Sequence, residues 1–544
     1  MIRKIVLLIY ISTLLGSPSY ADTREGLLLE AMTNELSCYP LELLYFSKQQ
    51  PLIKTKDICL SVIYHETGGQ PLWVGVDGVG DRAAVILDYL ARSDLEGLDP
   101  SDYEVDELQR LWNAREVQQL ARLDTLLTYN LVKYIHDMSY GQIKYRAVDP
   151  ALFAEAGNEE FDPFAAIDTA MKIPDLKKYL ESLAPRHQYY ENLKEALRYY
   201  RALAKQNDFE RIGGGKLIRP GDTDTRLVPI QKLLMTKKEL GEDHQLVESY
   251  SPELVRAVTG FQSKYGLEPD GIIGPKTLGA MNLSFGELIM KIRVNMARWR
   301  WHAHELGDNY ILVNIAGFTL KAVRNGQLRL EVPVIVGKYQ HQTPVFSNLI
   351  RYLDFNPYWN VPPSIARNEE LPALRRDRNH LVERNIRLFS GWQPDAVELD
   401  STAIDWQKVS RAQMSRYKLR QEPGPENALG RVKFVFPNRY MVYLHDTPAR
   451  ELFEHSKRSF SHGCIRVSNP LALASFLLQG QDGEFTAENF EEIEGLEKRK
   501  IVRLAEPFPI HITYQTAWVD KNNQIHFNSD VYGRDAKLMQ ALLQ

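Results

Sequence analysis

The hydrophobic period of this chain changes once, near Trp301, and that change divides it into two kinds of structure. Before it, apolar residues recur at about three- to four-residue spacing, the mark of helices that bury one face. Leu27, Leu28, Met32 and Leu36 fit one such face; Val85, Leu87, Leu90 and Leu95 fit a second, which Asp99-Pro100 should end. Leu120, Leu123, Leu126, Leu127, Leu131 and Ile135 make a long amphipathic helix, and Tyr189, Leu193, Leu197 and Tyr200 a further one. After Trp301 the pattern alternates as strands do, over 310–316, 318–323, 328–336, 432–436, 440–445 and 509–519. Asn325-Gly326 and Pro437-Asn438 sit between adjacent runs as hairpin turns.

A chain of 544 residues is too long for one ordinary core. The expected organisation is multidomain α+β. A helical domain covers 22–211 and ends at the flexible run Ile212-Gly213-Gly214-Gly215, where no G-K-[ST] follows to make a phosphate loop. A small three-helix domain follows over 216–284, then a mainly β domain over 288–520, opened by a connecting helix, and a tail over 521–544. Residues 354–430 interrupt the strands between the two hairpins. A structureless loop of that length is uncommon in a compact domain, so a subdomain is expected there. Its arginines, Arg375, Arg376, Arg378, Arg384 and Arg387, read either as a solvated face or as contacts for acidic peptides.

A net charge of −4 and the lack of a long Lys/Arg run argue against a nucleic-acid partner. At the N-terminus Arg3 and Lys4 precede an apolar run over 5–15, broken by Gly16, Ser17 and Pro18. Small residues at Ser19 and Ala21 complete a secretory signal peptide over 1–21, with cleavage expected after Ala21. The run is short for a membrane span, so no stable span is expected after cleavage. In an oxidising compartment Cys38 and Cys59 could form a bridge closing a short loop, or remain separate buried thiols.

Chemistry concentrates in Ser459-Phe460-Ser461-His462-Gly463-Cys464-Ile465-Arg466, which holds the last of three cysteines. Nearby positive charge and hydrogen-bond donors favour a reactive thiolate. The run 441–444 reads as a strand ending at His445, 19 residues before Cys464, from which an imidazole could take the thiol proton. Competing readings are an inert buried cysteine and a zinc site built on His445, His462 and Cys464. The latter lacks a fourth ligand in paired spacing. His462 is an alternative base.

The strand-end His445-Asp446-Thr447 followed by S-H-G-C-I-R resembles the signature of YkuD-type L,D-transpeptidases. The resemblance implies Cys464 as nucleophile and His445 as general base, its ring oriented by the backbone carbonyl of Asp446. It also implies an oxyanion hole from the N–H groups of His462, Gly463 and Cys464, and no metal or organic cofactor. Tyr443 (on the face of His445), Ser461, Arg466 and Trp359 are expected to bind substrate.

The resemblance extends beyond this motif. Asp270-Gly271-Ile272-Ile273-Gly274-Pro275-Lys276-Thr277 is similar to the D-G-x-x-G-x-x-T mark of peptidoglycan-binding domains. The stretch 356–363 and, diffusely, the helical domain resemble the large YcbB-type Gram-negative enzymes with a scaffold domain. In that class the catalytic fold is a β-sandwich and the insertion caps the active site. The implied function is 3→3 cross-linking of peptidoglycan in the periplasm, with a tetrapeptide stem as donor and diaminopimelate as acceptor. Cell-wall synthesis proteins are further candidate partners, and a carbapenem is expected to acylate the same thiol. Alternatives are an L,D-carboxypeptidase, a transferase to lipoprotein or D-amino-acid amines, or a non-catalytic wall-binding scaffold.

Overall fold

The computed structural model describes residues 23–36, 60–66, 68–143, 161–206, 209–480 and 498–543. The signal segment, Cys38 and Cys59 lie outside the described residues.

The helical domain is built around α1 (Val117–Tyr140), a helix buried on most of its surface. Its Asp124 is fully buried and accepts from the N–H groups of Leu72, Trp73 and Val74 and from the Tyr64 hydroxyl, which ties the preceding segments to it. The helix over Asp81–Ala91 ends earlier than Asp99-Pro100 would have it. A 3₁₀ turn over Ser93–Glu96 replaces its last turns, a second follows over Pro100–Tyr103, and Gly97 between them is left-handed at φ 73°. A Cβ at Gly97 would lie 3.1 Å from the Met296 sulfur, so a close helix approach sets the break. A second long helix, α2 (Gln188–Gln206), follows.

The three-helix domain comprises α3 (Leu227–Thr236), α4 (Pro252–Lys264) and α5 (Pro275–Met281). Proline occupies the first position of α4 and α5, where no N–H partner is needed. Gly266 is left-handed after α4, and Leu267 N–H closes back on Gln262 O at 2.8 Å. The D-G-x-x-G-x-x-T segment is wound around one buried amide. Gln262 donates to Asp270 Oδ1, Ile272 O and Thr277 Oγ1 and accepts from Gly271 N. Those motif residues therefore hold the turn together.

Helix α6 (Phe285–Arg300) opens with a Ser284/Glu287 capping box and packs on α2. It shares one apolar core with the helical domain, the three-helix domain and the hairpin Ala517–Val519/Ile525–Phe527.

The region over 310–513 forms one nine-stranded mixed sheet. Its strands are β1 (Tyr310–Asn314), β2 (Thr319–Arg324), β3 (Gln327–Gly337), β4 (Phe346–Phe355), β5 (Val432–Val435), β6 (Leu444–His445), β7 (Ser459–Ser461), β8 (Ile465–Val467) and β9 (Lys500–Thr513). The order is β7-β3-β8-β6-β5-β4-β9-β1-β2. The first half of β3 pairs with β2 and the second half with β8 and β7, so the sheet closes on itself around a single core. The two layers of the expected sandwich are thus one continuous sheet. Asn325 and Gly326 both have positive φ, as a two-residue hairpin turn requires. The second hairpin is looser, pairing only Lys433–His445 and Phe434–Leu444 across a loop over 436–443. The late strand begins at Lys500 and is interrupted at 514–516.

The insertion is a subdomain with its own four-stranded sheet and its own apolar core around Leu371, Leu388, Trp406 and Leu419. Its ends meet at a neck where Asn356 N–H donates to Arg431 O at 2.8 Å. Residues after 520 are no tail. Helix α8 (Arg534–Leu542; α7 is Pro470–Leu478) packs on α6. There buried Arg298 pairs with Asp535 at 2.7 Å. A mostly polar sequence read as a solvated end because its anchors are ionic.

Candidate active site

Strand register assembles the site. Leu353, Phe434, Leu444 and Ile465 pair across β4, β5, β6 and β8, and all four are fully buried in the core. The next residues along those strands, Asp354, Lys433, His445 and Arg466, pair in the same order and therefore form a row on the opposite face. Cys464 lies two residues before Arg466, on that same face. Ile465 N–H donates to Tyr443 O at 2.9 Å, which fixes Cys464 beside Tyr443 and next to His445.

His445 is buried, and its Nδ1 lies 2.5 Å from Asp446 O. A carbonyl only accepts, so Nδ1 carries the proton and Nε2 presents its lone pair. Burial first, then the charge of Arg466, push the imidazole pKa down to about 3, against the opposing Asp446 bond; Lys433 lowers it further. The Asp446 carboxylate accepts from Arg431 N at 2.8 Å and Thr447 N at 2.6 Å and pairs with Arg450. A Cβ on left-handed Gly430 would lie 2.3 Å from Asp446 Cγ, so the exit of the insertion presses on the residue that orients His445.

The Cys464 thiol has Met441 O as its hydrogen-bond partner, at 3.7 Å. Burial pushes its pKa up; a backbone hydrogen bond from the Tyr443 segment and the charges of Lys433 and Arg466 pull the other way without prevailing. The resting pair is therefore a neutral thiol beside a neutral imidazole. Lys433 Nζ sits 3.7 Å from the centre of the Tyr443 ring, and burial lowers its own pKa.

The loop that carries Cys464 is held from inside. Ser461 is buried; its hydroxyl accepts from Gly463 N at 3.1 Å and donates to Cys464 O at 2.5 Å. Ser461, expected at the substrate, faces into the loop instead, and Gly463 N–H, expected in an oxyanion hole, is taken up by the Ser461 hydroxyl. The N–H groups of His462 and Cys464 have no protein acceptor among the described residues. Gly463 has φ 114°, a value side chains rarely adopt. Trp359 pairs with Gln421 in the insertion's sheet and packs on the insertion's core. His462 Nε2 contacts Glu369 Oε1 of the insertion at 2.6 Å, and its ring lies 5.0 Å from His341. His462 thus faces the insertion.

Three residues join the site that the sequence did not single out: Lys433, Glu369 and Thr343, whose hydroxyl donates to Gly463 O at 2.8 Å. Lys433 stands at an outward position of an alternating strand, a signal shared with any solvated lysine. A separate cavity of about 1090 Å³ opens between the three-helix domain and the catalytic sheet, lined by Asp270, Lys276, Lys457 and Trp518 among others. Among the described residues no group of three or more His, Cys, Asp or Glu is placed to hold a metal, and no helix is long and apolar enough to cross a membrane.

A closed mixed sheet thus sets a buried histidine and a cysteine at the ends of adjacent parallel strands. Residues 308–486 match the family model of the L,D-transpeptidase catalytic domain (YkuD), residues 230–281 that of a "Putative peptidoglycan binding domain" and residues 59–197 that of a scaffold domain. The chain thus carries, in order, regions similar to a scaffold domain, a peptidoglycan-binding domain and a YkuD L,D-transpeptidase catalytic domain. A curated relative described as "Putative L,D-transpeptidase", from Haemophilus influenzae, is 34% identical over 230 residues, 42% of this chain. The match spans 45% of that relative's length, a little under half.

Solved structures with local similarity include an L,D-transpeptidase from Mycobacterium smegmatis (13% identity, 38% of this chain, 58% of that chain, TM-score 0.18). Another is an L,D-transpeptidase from Stackebrandtia nassauensis (12% identity, 54% of this chain, 96% of that chain, TM-score 0.20). At these scores neither likeness carries further argument.

Proposed function

We propose that this chain is a periplasmic peptidoglycan L,D-transpeptidase that forms 3→3 cross-links through a thioester on Cys464. The observation that carries the reading is the register that sets Cys464, His445 and Arg466 on one face of adjacent parallel strands, with the imidazole lone pair free. His445 Nε2 takes the thiol proton as the sulfur adds to the carbonyl after the L-centre of diaminopimelate in a tetrapeptide stem. The N–H groups of His462 and Cys464 receive the oxyanion; each such donor is worth about 3 kcal/mol. The C–N bond breaks, and terminal D-Ala leaves as an amine with the proton held by His445. The side-chain amine of a second diaminopimelate then adds to the thioester, passing its proton to His445. The C–S bond breaks and the thiol regains that proton, completing the cross-link.

Tyr443 and Arg466 line the groove beside the thiol, and the insertion covers it through Glu369. Excluding water protects a thioester meant for an amine. Purified protein incubated with tetrapeptide-rich peptidoglycan should give 3→3 dimers on mass spectrometry of the muropeptides. Tripeptide alone would make it a carboxypeptidase, and unchanged muropeptides would reject the reading.

A further inference from the structure

The nucleophile loop rests on a buried chain of hydrogen bonds that begins outside the segment matched as catalytic domain. The Thr343 hydroxyl donates to Gly463 O at 2.8 Å and accepts from Gly337 N at 2.9 Å. Thr343 N–H in turn donates to the Tyr532 hydroxyl at 3.2 Å, and that hydroxyl donates to Gly337 O at 2.8 Å. One phenol therefore closes the turn over 337–343 from both ends. The turn has no slack: a Cβ on Gly337 would meet His341 O at 1.9 Å. It also touches the loop a second time, through Lys338 N–H to Ser461 O at 2.9 Å.

Tyr532 is itself fixed. Its ring stacks on Tyr514 at 5.5 Å, its N–H donates to the Tyr514 hydroxyl, and Arg534 beside it donates to Gln342 Oε1 at 2.8 Å. Thr343 is fully buried and Tyr532 nearly so, and no water competes for bonds of this kind.

We infer that Tyr532 is a positioning residue for acyl transfer, holding the His462-Gly463-Cys464 backbone through Thr343 so that its N–H groups meet the developing oxyanion. The inference rests on the proposed thioester chemistry. It places the residues after 520 within the catalytic unit. It also ties the loop to the inter-domain helix α6, because Asp530 accepts from the Tyr514 hydroxyl and from Asp535 N, and Asp535 pairs with Arg298.

Two reactions of Cys464 separate positioning from general disruption. Acylation by a carbapenem needs the oxyanion donors; alkylation by iodoacetamide needs only the thiol and its base. Both can be followed by intact-protein mass on the full chain. Tyr532→Phe keeps the ring and its stacking and removes both bonds of the hydroxyl. It should slow acylation about tenfold to a hundredfold, the cost of a small misplacement at a reacting centre, with alkylation within about twofold of the parent. Thr343→Val should do the same and Thr343→Ser should restore the rate. The double variant Tyr532→Phe/Thr343→Val should be no worse than the weaker single one, because both act through one path. Acylation unchanged in Tyr532→Phe, or acylation and alkylation lost in equal proportion, overturns the inference. A parent protein that takes up no carbapenem would instead reject the thioester chemistry itself.

Discussion

The loop that carries Cys464 is gripped from two sides by very different means. On one side the insertion reaches it through His462 and Glu369, whose side chains are 31% and 51% exposed, from a subdomain with its own sheet and core. On the other side Thr343 and Tyr532 hold it through bonds closed off from solvent, backed by the buried Arg298–Asp535 pair. An exposed contact is worth little and can be made and broken; a buried one is costly to break. The difference argues for a loop that stays fixed while its cover moves.

The largest effect should come from the fixed side. Arg298→Met removes the nearest cation from buried Asp535, leaving it Lys291 at 3.8 Å and the Thr516 hydroxyl at 3.0 Å, and should lower unfolding free energy by about 2–4 kcal/mol, read from denaturant midpoints. A loss under about 1 kcal/mol would mean that the C-terminal helix is only loosely docked.

The middle of the comparison is the thiol itself. Burial raises the Cys464 pKa and lowers that of His445, so neither is charged at neutral pH. Iodoacetamide alkylation should therefore keep rising with pH past the ordinary thiol value of about 8.5. A plateau established by about pH 6 would reveal a thiolate–imidazolium pair and a more open site.

The smallest effect belongs to the cover. Burial, with help from His341 and Lys338 and against the pull of Glu369, lowers the His462 pKa, which weakens any ionic character of the contact. Glu369→Gln should change stability by at most about 1 kcal/mol. It should still raise the ratio of hydrolysed tripeptide to cross-linked dimer, because a loosened cover admits water. An unchanged ratio would make the insertion a bystander.

Much of this was legible in the sequence and some was not, for physical reasons. Asn325-Gly326 announced its hairpin because such residues take two positive φ angles, and the His445 to Cys464 motif pointed to two residues that strand register sets on one face. Lys433 and Glu369 gave no signal, since their roles arise from register and from a contact about ninety residues away. Ser461 misled in the opposite sense: a serine beside a nucleophile reads as a substrate ligand until its two hydrogen bonds are seen. Tyr532, Arg534 and Asp535 were hidden because ionic and hydrogen-bonded anchoring leaves no hydrophobic period. The Gln262 knot shows the reverse, a motif suggestive of binding whose residues also hold a fold.

The central claim is that Cys464 carries the acyl group. Its most direct test is intact-protein mass spectrometry during turnover of a disaccharide-tetrapeptide, quenched in acid. The expected result is an adduct equal to the substrate less D-Ala, mapped by peptide digestion to Cys464 and missing from a folded Cys464→Ala protein. An adduct on another residue, or cross-linked product formed by Cys464→Ala, would contradict the account.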